Sequence, residues 1–279
     1  MPGASWVYEL AEVRKAFDGV VALDGVSLAI ERGEHVAFIG PSGAGKTTLF
    51  RILNLTLAPT SGTLRFDGAD VAALTPGELR RARRRIGSIY QQHNLVGRLR
   101  VVHNVLAGNL GRWSLATALA SLVRPRELET AARALAQVGI PDKLYARTDE
   151  LSGGQQQRVA IARVLVQDPD VVLADEPVSS VDPALAAALV ALLRDLARAT
   201  GKTLLVNLHS VDLALTGFPR VVGIRQGRIL FDLAPDKVTP ELLELLYAGS
   251  APEAQDVAAL RPGAVAFGKA CRPLPGFTR

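Results

Sequence analysis

The feature that most constrains how this chain folds is a glycine-rich turn between two apolar segments of different period. Residues 35–40, HVAFIG, are a short apolar run with β-branched side chains, and residues 47–57, TTLFRILNLTL, place their apolar side chains at helical spacing. The turn between them, GPSGAGKTT at residues 40–48, matches the pattern G-x-x-x-x-G-K-[ST]. A strand, a glycine turn and a helix in this order predict a loop whose backbone wraps around a phosphate group.

The side chains of this turn suit nucleotide chemistry. Gly40, Gly43 and Gly45 let backbone N–H groups point inward at a β-phosphate, and the positive end of the following helix reinforces them. Lys46 supplies positive charge to the β and γ oxygens, while the Thr47 hydroxyl is a hard oxygen ligand suited to Mg²⁺. The predicted nucleotide-binding loop consists of Gly40, Pro41, Ser42, Gly43, Ala44, Gly45, Lys46, Thr47 and Thr48.

Two further apolar runs end in polar side chains. DVVLADE, residues 170–176, and TLLVNLHS, residues 203–210, each follow a helix-like segment. Continuous apolar strands separated by helices predict an α/β fold with a parallel sheet covered on both faces. Because ligands of such sheets bind beyond the carboxyl ends of the strands, the ends of these runs should converge on the phosphate loop.

The acids and the histidine at these strand ends are candidates for catalysis. Asp175 closes a buried strand and can hold Mg²⁺, and Glu176, pointing the other way because strand side chains alternate, can face the γ-phosphate and polarise the attacking water. His209 could donate to the γ-phosphate. A lone histidine is more often structural, so spacing alone leaves open both a structural and a catalytic role for His209.

The segment from Pro76 to about Asp149 has a different pattern. It contains arginines and then alanine- and leucine-rich helical runs, with no convincing buried strand, which predicts a helical subdomain inserted into the α/β unit. After Tyr247 the sequence loses its periodicity and gains proline and glycine, which indicates a loosely attached tail.

Charge and hydropathy limit the partners. The net charge of +5 is compatible with nucleic acid, anionic lipid or phosphates, and its densest cluster, ELRRARRR at residues 78–85, reads either as a solvated helix face or as a nucleic-acid footprint. The longest apolar run, residues 184–193, is much shorter than the ~20 residues that a membrane-spanning helix needs. The N-terminal residues have no basic-then-apolar export pattern. We therefore expect a chain that does not cross a bilayer.

The order of the motifs resembles that of the ATP-binding subunits of ABC transporters, from about residue 5 to residue 247. The segments that carry the resemblance are GPSGAGKTT, YQQHNLV, LSGGQQQR, VVLADEP, SSVD and NLH. It implies a P-loop NTPase core with a mostly parallel sheet, an N-terminal antiparallel β portion and an inserted helical subdomain at about residues 76–150. Residues 248–279 would form the loosely ordered tail, and ATP and Mg²⁺ would be the cofactors.

The resemblance also implies further site residues. Phe17 would stack on the base, and Gln91 would serve both catalysis and the metal together with Thr47 and Asp175. It favours the catalytic role for His209. The remaining nucleotide-binding residues would be Ser152, Gly153, Gly154 and Gln155 of the signature, and Asp182.

The signature raises the question of a second anion site. Ser152, Gly153 and Gly154 precede a helix whose N–H groups favour an anion, yet the phosphate loop of the same chain already holds the phosphates. The resemblance answers that two copies pack head to tail and sandwich two ATP molecules, with closed twofold symmetry. Asp182, followed by Pro183, would cap a helix at that interface.

Within the family, the chain is most similar to the ATP-binding subunits of phosphonate importers, through residues 90–113 and the segments ADEPVSSVDP, VNLHSVDLAL and GRILFD. This implies a peripheral subunit on the cytoplasmic face of the membrane, docked on a permease through the helical subdomain and the Gln91 region, and served indirectly by a solute-binding protein. Two alternatives are an importer of another small polar solute and a soluble ABC ATPase acting on nucleic acid. The second alternative is disfavoured because this sequence has neither the coiled-coil insertion nor the second cassette of such relatives, so we expect no nucleic-acid partner.

Overall fold

The computed structural model describes residues 6–90, 94–178 and 182–248. The strands are β1 Trp6–Phe17, β2 Val20–Glu31, β3 His35–Ile39, β4 Ser61–Phe66, β5 Ala69–Asp70, β6 Ile86–Tyr90, β7 Val171–Asp175, β8 Thr203–Asn207, β9 Arg220–Arg225 and β10 Arg228–Leu233. The α-helices are α1 Lys46–Leu53, α2 Pro76–Arg84, α3 Val101–Leu106, α4 Leu115–Val123, α5 Leu128–Gln137, α6 Gly153–Gln167, α7 Pro183–Ala199, α8 Val211–Gly217 and α9 Pro240–Tyr247. Short 3₁₀ helices occupy Val71–Ala73, Ala107–Gly111, Pro141–Lys143, Thr148–Glu150 and Pro235–Lys237.

The central sheet has six strands in the order β10-β9-β3-β8-β7-β6. All neighbouring pairs are parallel except β9 with β10. Alternation along the strands divides the core between its two faces, since Val36 and Phe38 belong to one hydrophobic cluster and Ala37 and Ile39 to the other. The predicted α/β fold with a mostly parallel sheet is confirmed.

An antiparallel sheet covers one face of the central sheet. Its strand order is β2-β1-β4-β5, and it buries its apolar side chains together with helix α1. The hydroxyl of fully buried Tyr8 on β1 donates to the Leu53 carbonyl at the end of α1, at 2.8 Å. The N-terminal antiparallel portion is therefore confirmed, and it fixes the helix that follows the phosphate loop.

Helices α3, α5 and α6 pack together on the other face of the central sheet. The prediction that residues 76–149 contain no buried strand is wrong, because β6 lies in this span and pairs with β7 in the central sheet. Gly87 and Ser88 interrupt its apolar run and conceal it in the sequence. A Cβ on Gly87 would lie 2.7 Å from a methyl group of Val164, so packing against α6 excludes a larger residue there. The helices α3–α5 follow this strand.

Some of the sequence predictions fall outside the described ranges. Gln91 and residues 249–279 of the predicted tail are among them, as are residues 179–181 of the SSVD segment. In the portion of the chain that the structure covers, the helices are too short or too polar to traverse a lipid bilayer.

Candidate functional site

The phosphate loop lies between β3 and α1, and it packs closely against backbone atoms of β9 and β2. Gly40 has a φ of +150°, and a Cβ there would lie 2.0 Å from the Ile224 carbonyl oxygen. Gly45 has a φ of +101°, and its Cβ would lie 2.4 Å from the Ala22 carbonyl oxygen. Any side chain at either position would collide with the neighbouring strand. The glycines thus set the shape of the loop through contacts that lie outside it.

Lys46 is the first residue of α1, and its side chain folds back over the loop. It is 4% exposed, and its Nζ donates to the carbonyl oxygens of Gly40 at 2.6 Å and Pro41 at 3.0 Å. The N-cap residue Gly45 makes no side-chain hydrogen bond to the first turn of α1. The charge of Lys46 and the N–H groups of the first turn of α1 are therefore directed at the same loop. Thr47, the next residue of this turn, is exposed.

The strand ends converge as the sequence predicts. Asp175 at the end of β7 lies opposite Asn207 at the end of β8, and β8 also pairs with β3, which leads into the phosphate loop. The Asn207 side-chain amide donates to the Asp175 carboxylate at 2.7 Å. Burial raises the pKa of Asp175 above its ordinary value, and the bond from Asn207 opposes that rise.

Asn207 is a site residue that the sequence reasoning did not assign. Its side-chain oxygen is buried, with no hydrogen-bond partner among the described residues, while its amide orients Asp175. The signal was present in the sequence, because Asn207 is a polar residue that closes a buried apolar strand two positions before His209.

Glu176 and His209 form a close pair beside Asp175. The Nε2 atom of His209 lies 2.7 Å from Oε1 of Glu176, and each side chain is about three-quarters buried. This hydrogen bond holds the pKa of the Glu176 carboxyl below its ordinary value, against the opposing effect of partial burial. The site therefore contains two adjacent carboxyls whose pKa values are displaced in opposite directions.

The prediction that strand alternation directs the Glu176 side chain is wrong. Strand β7 ends at Asp175, and Glu176 has a φ of +52°, in the left-handed region. Its direction follows from this turn, which the Glu176 N–H anchors by donating to the Asn207 carbonyl at 3.2 Å. Strand alternation therefore does not apply to it. A non-glycine residue in the left-handed region is strained, and such strain is concentrated at functional sites.

Phe17 lies at the end of β1, beside the Asp18–Gly19 turn that leads into β2. Its ring is 39% exposed, and the Lys15 ammonium lies 5.1 Å from the ring centroid. Val20, across the hairpin from Phe17, is also exposed. An exposed aromatic ring at a hairpin tip provides a flat apolar surface for a planar base.

The signature residues begin helix α6, as predicted. The Ser152 hydroxyl accepts from the Gln155 N–H at 3.4 Å, and the Gln155 side chain accepts in return from the Ser152 N–H at 3.1 Å. These bonds complete a capping box. A Cβ on Gly153 would meet nothing within 4 Å, so this end of the helix has an open face.

Asp182 caps α7, also as predicted. Its carboxylate accepts from the Leu185 N–H at 3.0 Å, and Pro183 occupies the first turn. The sequence did not reveal that Leu185, whose N–H this cap binds, contacts the signature. A Cβ on Gly154 would lie 2.7 Å from a methyl group of Leu185, so the starts of α6 and α7 pack directly against each other.

A family model described as "ABC transporter" matches residues 23–179, more than half of the chain. The chain belongs to the ABC transporter family of ATP-binding proteins. Among curated proteins it is similar to the "Phosphonates import ATP-binding protein PhnC" of Pseudomonas putida, with 49% identity over 82% of this chain and 85% of that protein. A Pseudomonas aeruginosa protein, "Phosphonates import ATP-binding protein PhnC 2", is 50% identical over 85% of this chain and 89% of that protein.

Solved structures of ABC ATPases share the fold. The dimeric post-hydrolysis structure of the ATP-binding cassette MJ0796, bound to ADP and Pi, has a TM-score of 0.69 and 30% identity, covering 82% of this chain and 98% of that one. The cbiO1 protein of Clostridium perfringens, part of the ABC transporter complex cbiONQ, has a TM-score of 0.73 and 27% identity, covering 88% and 96%.

Family membership makes this chain a nucleotide-binding ATPase of a transporter. The loop at residues 40–48 lies within the matched span. In this ABC ATPase the Glu176–His209 pair and Asp175 lie at the carboxyl edge of the sheet strands that flank the loop. That edge brings together positive charge and two partly buried carboxyl groups, Asp175 and Glu176, each of which accepts a hydrogen bond.

Proposed function

We propose that the chain powers the import of a phosphonate or a related phosphorus oxyanion. One observation carries the proposal, which is that the Glu176–His209 pair and Asp175 lie at the strand ends beside the phosphate loop, in a chain 49% identical to named phosphonate-import ATP-binding proteins. The ATPase site provides the energy, and the solute is inferred from the relatives. No residue of the described site contacts the solute in this account.

Lys46 binds the β and γ phosphates, and its buried position over the loop supports that role. The other loop residues, from Gly40 through Thr48, surround the phosphates with backbone N–H groups. Phe17 stacks on the adenine through its exposed ring. These interactions bind ATP before any step of the reaction takes place.

Asp175 and Thr47 suit a Mg²⁺ ion, because both offer hard oxygen atoms. Gln91 is proposed as a further ligand and lies outside the described residues. No group of three or more His, Cys, Asp or Glu side chains with metal-ligand geometry occurs among the described residues, which fits an ion that keeps waters and nucleotide oxygens as most of its ligands. Bound Mg²⁺ would neutralise charge that develops on the phosphates.

Glu176 polarises the attacking water, and His209 positions Glu176 and donates toward the γ-phosphate. The lowered pKa of the Glu176 carboxyl favours its ionised form, in which the carboxylate can polarise a water molecule as a base. The 2.7 Å contact with His209 fixes the direction of the carboxylate. Gln91 completes the catalytic set in this proposal.

A second copy of the chain completes each site. The open face at Gly153 and the helix start formed by Ser152 to Gln155 are oriented to an anion of another molecule, and the similar MJ0796 cassette was solved as a dimer. Asp182 lies where α7 packs on the signature and takes part in the same interface. The head-to-tail dimer therefore sandwiches two ATP molecules.

The remaining partners are a membrane permease and, indirectly, a solute-binding protein. The subunit is peripheral on the cytoplasmic face, and helices α3 and α5, which follow β6, form the permease contact together with the Gln91 region. Nucleic acid is disfavoured as a partner because two arginines of the run make contacts within the protein. Arg83 donates to the Leu55 carbonyl, and Arg85 pairs with Asp67 and Asp170.

The test is solute-stimulated hydrolysis after reconstitution with the permease and binding protein. Methylphosphonate, aminoethylphosphonate, phosphite and phosphate are compared with glutamate and maltose, and Glu176→Gln serves as the hydrolysis-deficient control. We expect stimulation by a phosphorus oxyanion only, because a solute drives closure through its differential binding to the open and closed states. Stimulation by glutamate or maltose alone would reject the solute and retain the ATPase.

A further inference from the structure

A cavity lined by arginines lies away from the phosphate loop. It has a volume of about 480 Å³ and is walled by α2 and the segment that follows α3. The charged side chains that line it are Arg80, Arg83, Arg84 and Arg112. None of these four forms an ion pair with any acidic side chain of the described ranges, whereas Arg85 of the same run pairs with two aspartates. The cavity therefore concentrates positive charge that the described protein does not neutralise.

Two of these arginines are held in place by neutral groups. Arg83 donates to the Leu55 carbonyl at 2.6 Å, and Arg112 donates to the Gln167 carbonyl. Carbonyl acceptors orient a guanidinium without cancelling its charge. Trp113 also lines this cavity, and an indole N–H is a hydrogen-bond donor. This arrangement suits a phosphate group, since arginine binds phosphate oxygens in a fixed fork geometry.

Helix α4 begins two residues after Trp113, and its apolar face is turned toward solvent instead of toward the protein. Thr117, Ala118 and Ser121 face the protein, and Ser121 is 4% exposed. Its large apolar residues face outward, at spacing i, i+4, i+7 and i+8 on one side of the helix. They are Leu115, Leu119, Leu122 and Val123, of which Leu115 is 77% and Val123 is 90% exposed. A continuous exposed apolar stripe of this kind indicates a surface that is covered in use.

The cavity and the stripe are continuous along the chain. Leu110 lines the cavity and is exposed, Trp113 lies in its wall, and Leu115 begins the stripe. Arg124 and Arg126, both exposed, follow α4 directly. Basic groups, a tryptophan and outward leucines in one segment are the composition of helices that lie in the interface of a membrane.

We propose that this face, the arginine cavity together with the outward side of α4, binds an anionic phospholipid surface. The phosphate headgroups bind in the cavity, and the leucines of α4 enter the boundary between headgroups and acyl chains. The charge of the cavity identifies the partner as anionic, and the adjoining apolar stripe distinguishes a lipid surface from a free anion. The inference does not depend on which solute is transported.

The experiment is co-flotation of the full-length protein with phosphatidylcholine vesicles that contain or lack phosphatidylglycerol, at low and high salt. Wild type should bind only the phosphatidylglycerol vesicles, and salt should weaken binding. The variant Arg80→Ala/Arg84→Ala should lose about fivefold in affinity for each arginine removed. Arg81→Ala, an exposed arginine of the same helix that does not line the cavity, is the matched control and should stay within about twofold of wild type.

A second pair of variants tests the apolar stripe. Leu119→Ser/Leu122→Ser should lower the affinity for vesicles by about tenfold or more, whereas Leu245→Ser, at an exposed leucine of α9, should have no effect. Basal ATP hydrolysis and thermal unfolding should be unchanged in all of these variants, which would exclude misfolding.

Three outcomes would overturn the proposal. A loss for Arg81→Ala that equals the loss per arginine of the cavity variant would mean non-specific attraction. Tight binding of inorganic phosphate or glycerol 3-phosphate that the leucine changes leave intact, without binding to vesicles, would mean a site for a soluble anion. Failure to bind either type of vesicle, together with loss of permease binding in Leu119→Ser/Leu122→Ser, would mean that a protein covers the stripe.

Discussion

We expect the N-termini of helices α1 and α6 in this ABC ATPase to face anions, and their caps differ. Helix α1 begins after Gly45, which has a left-handed conformation and forms no side-chain cap, so the chain itself leaves these N–H groups to a ligand. Helix α6 begins after Ser152, where a capping box with Gln155 satisfies two of the N–H groups. The first terminus has no side-chain cap, whereas side chains of the protein satisfy part of the hydrogen bonding of the second before a ligand arrives.

This difference separates the roles of the two termini. The α1 terminus, with Lys46 over it, should supply most of the ATP affinity of an isolated chain. The α6 terminus, stable by itself and open at Gly153, should act only when another molecule brings a phosphate to it. Changes at α1 should therefore abolish function in one chain, whereas changes at α6 should act mainly through the pair of chains.

The largest effect is expected at Lys46. Lys46→Ala removes the charge over the loop and should lower ATP hydrolysis by about 10²–10³-fold, with a matching loss of nucleotide binding. The fold should remain, which circular dichroism and thermal unfolding would verify. Hydrolysis at half the wild-type rate or more would show that Lys46 does not bind the phosphates.

The next effect is expected at Glu176. Glu176→Gln keeps the shape and removes the charge, so hydrolysis should fall by about 10²-fold or more while ATP is still bound. The trapped ATP should hold two chains together, as light scattering with ATP and Mg²⁺ would detect. A variant that stays monomeric under these conditions would argue against the shared site.

A smaller effect distinguishes the two glycines of the signature. Gly153→Ala adds a methyl group in open space and should raise the free energy of unfolding by about 0.5–1 kcal/mol, since alanine is the better helix former. Gly154→Ala places its methyl group 2.7 Å from Leu185, which should cancel that gain or reverse it by about 1 kcal/mol. Urea unfolding of both variants would measure the difference. Equal stabilities would mean that the starts of α6 and α7 do not pack as described.

The smallest effect is a change in pH dependence at Asn207. Burial already raises the pKa of Asp175, so the folded state binds that proton more tightly and stability falls as pH rises from the unfolded to the folded pKa. Asn207→Ala removes a donor to the charged form and should raise this pKa further. The acid limb of the rate profile should then move to higher pH. If the acid limb of the pH–rate profile does not move and only the maximum rate falls, Asn207 has a merely structural role.

Local chemistry explains which parts of the site could be predicted from the sequence. The strand–turn–helix unit around Lys46 and the helix caps at Ser152 and Asp182 depend on residues close together in the chain, so local patterns predict these elements correctly. Strand β6 depends on Gly87 fitting beside Val164 of a distant helix, and no local pattern reveals that contact. No local pattern reveals the turn that directs Glu176 either, because it is anchored on the carbonyl of Asn207.

The central claim is that each ATP is shared between two chains, and mixing two inactive variants tests it most directly. Lys46→Ala inactivates the phosphate loop. Gly153→Glu inactivates the signature by placing a negative charge in open space at a helix start, where an acid is well tolerated by the fold. In a mixed dimer one site would combine both defects, and the other would have an intact loop and an intact signature. Equal mixing should therefore restore about a quarter of the wild-type sites. Hydrolysis that stays at the level of the separate variants, although mixed dimers form, would contradict the account.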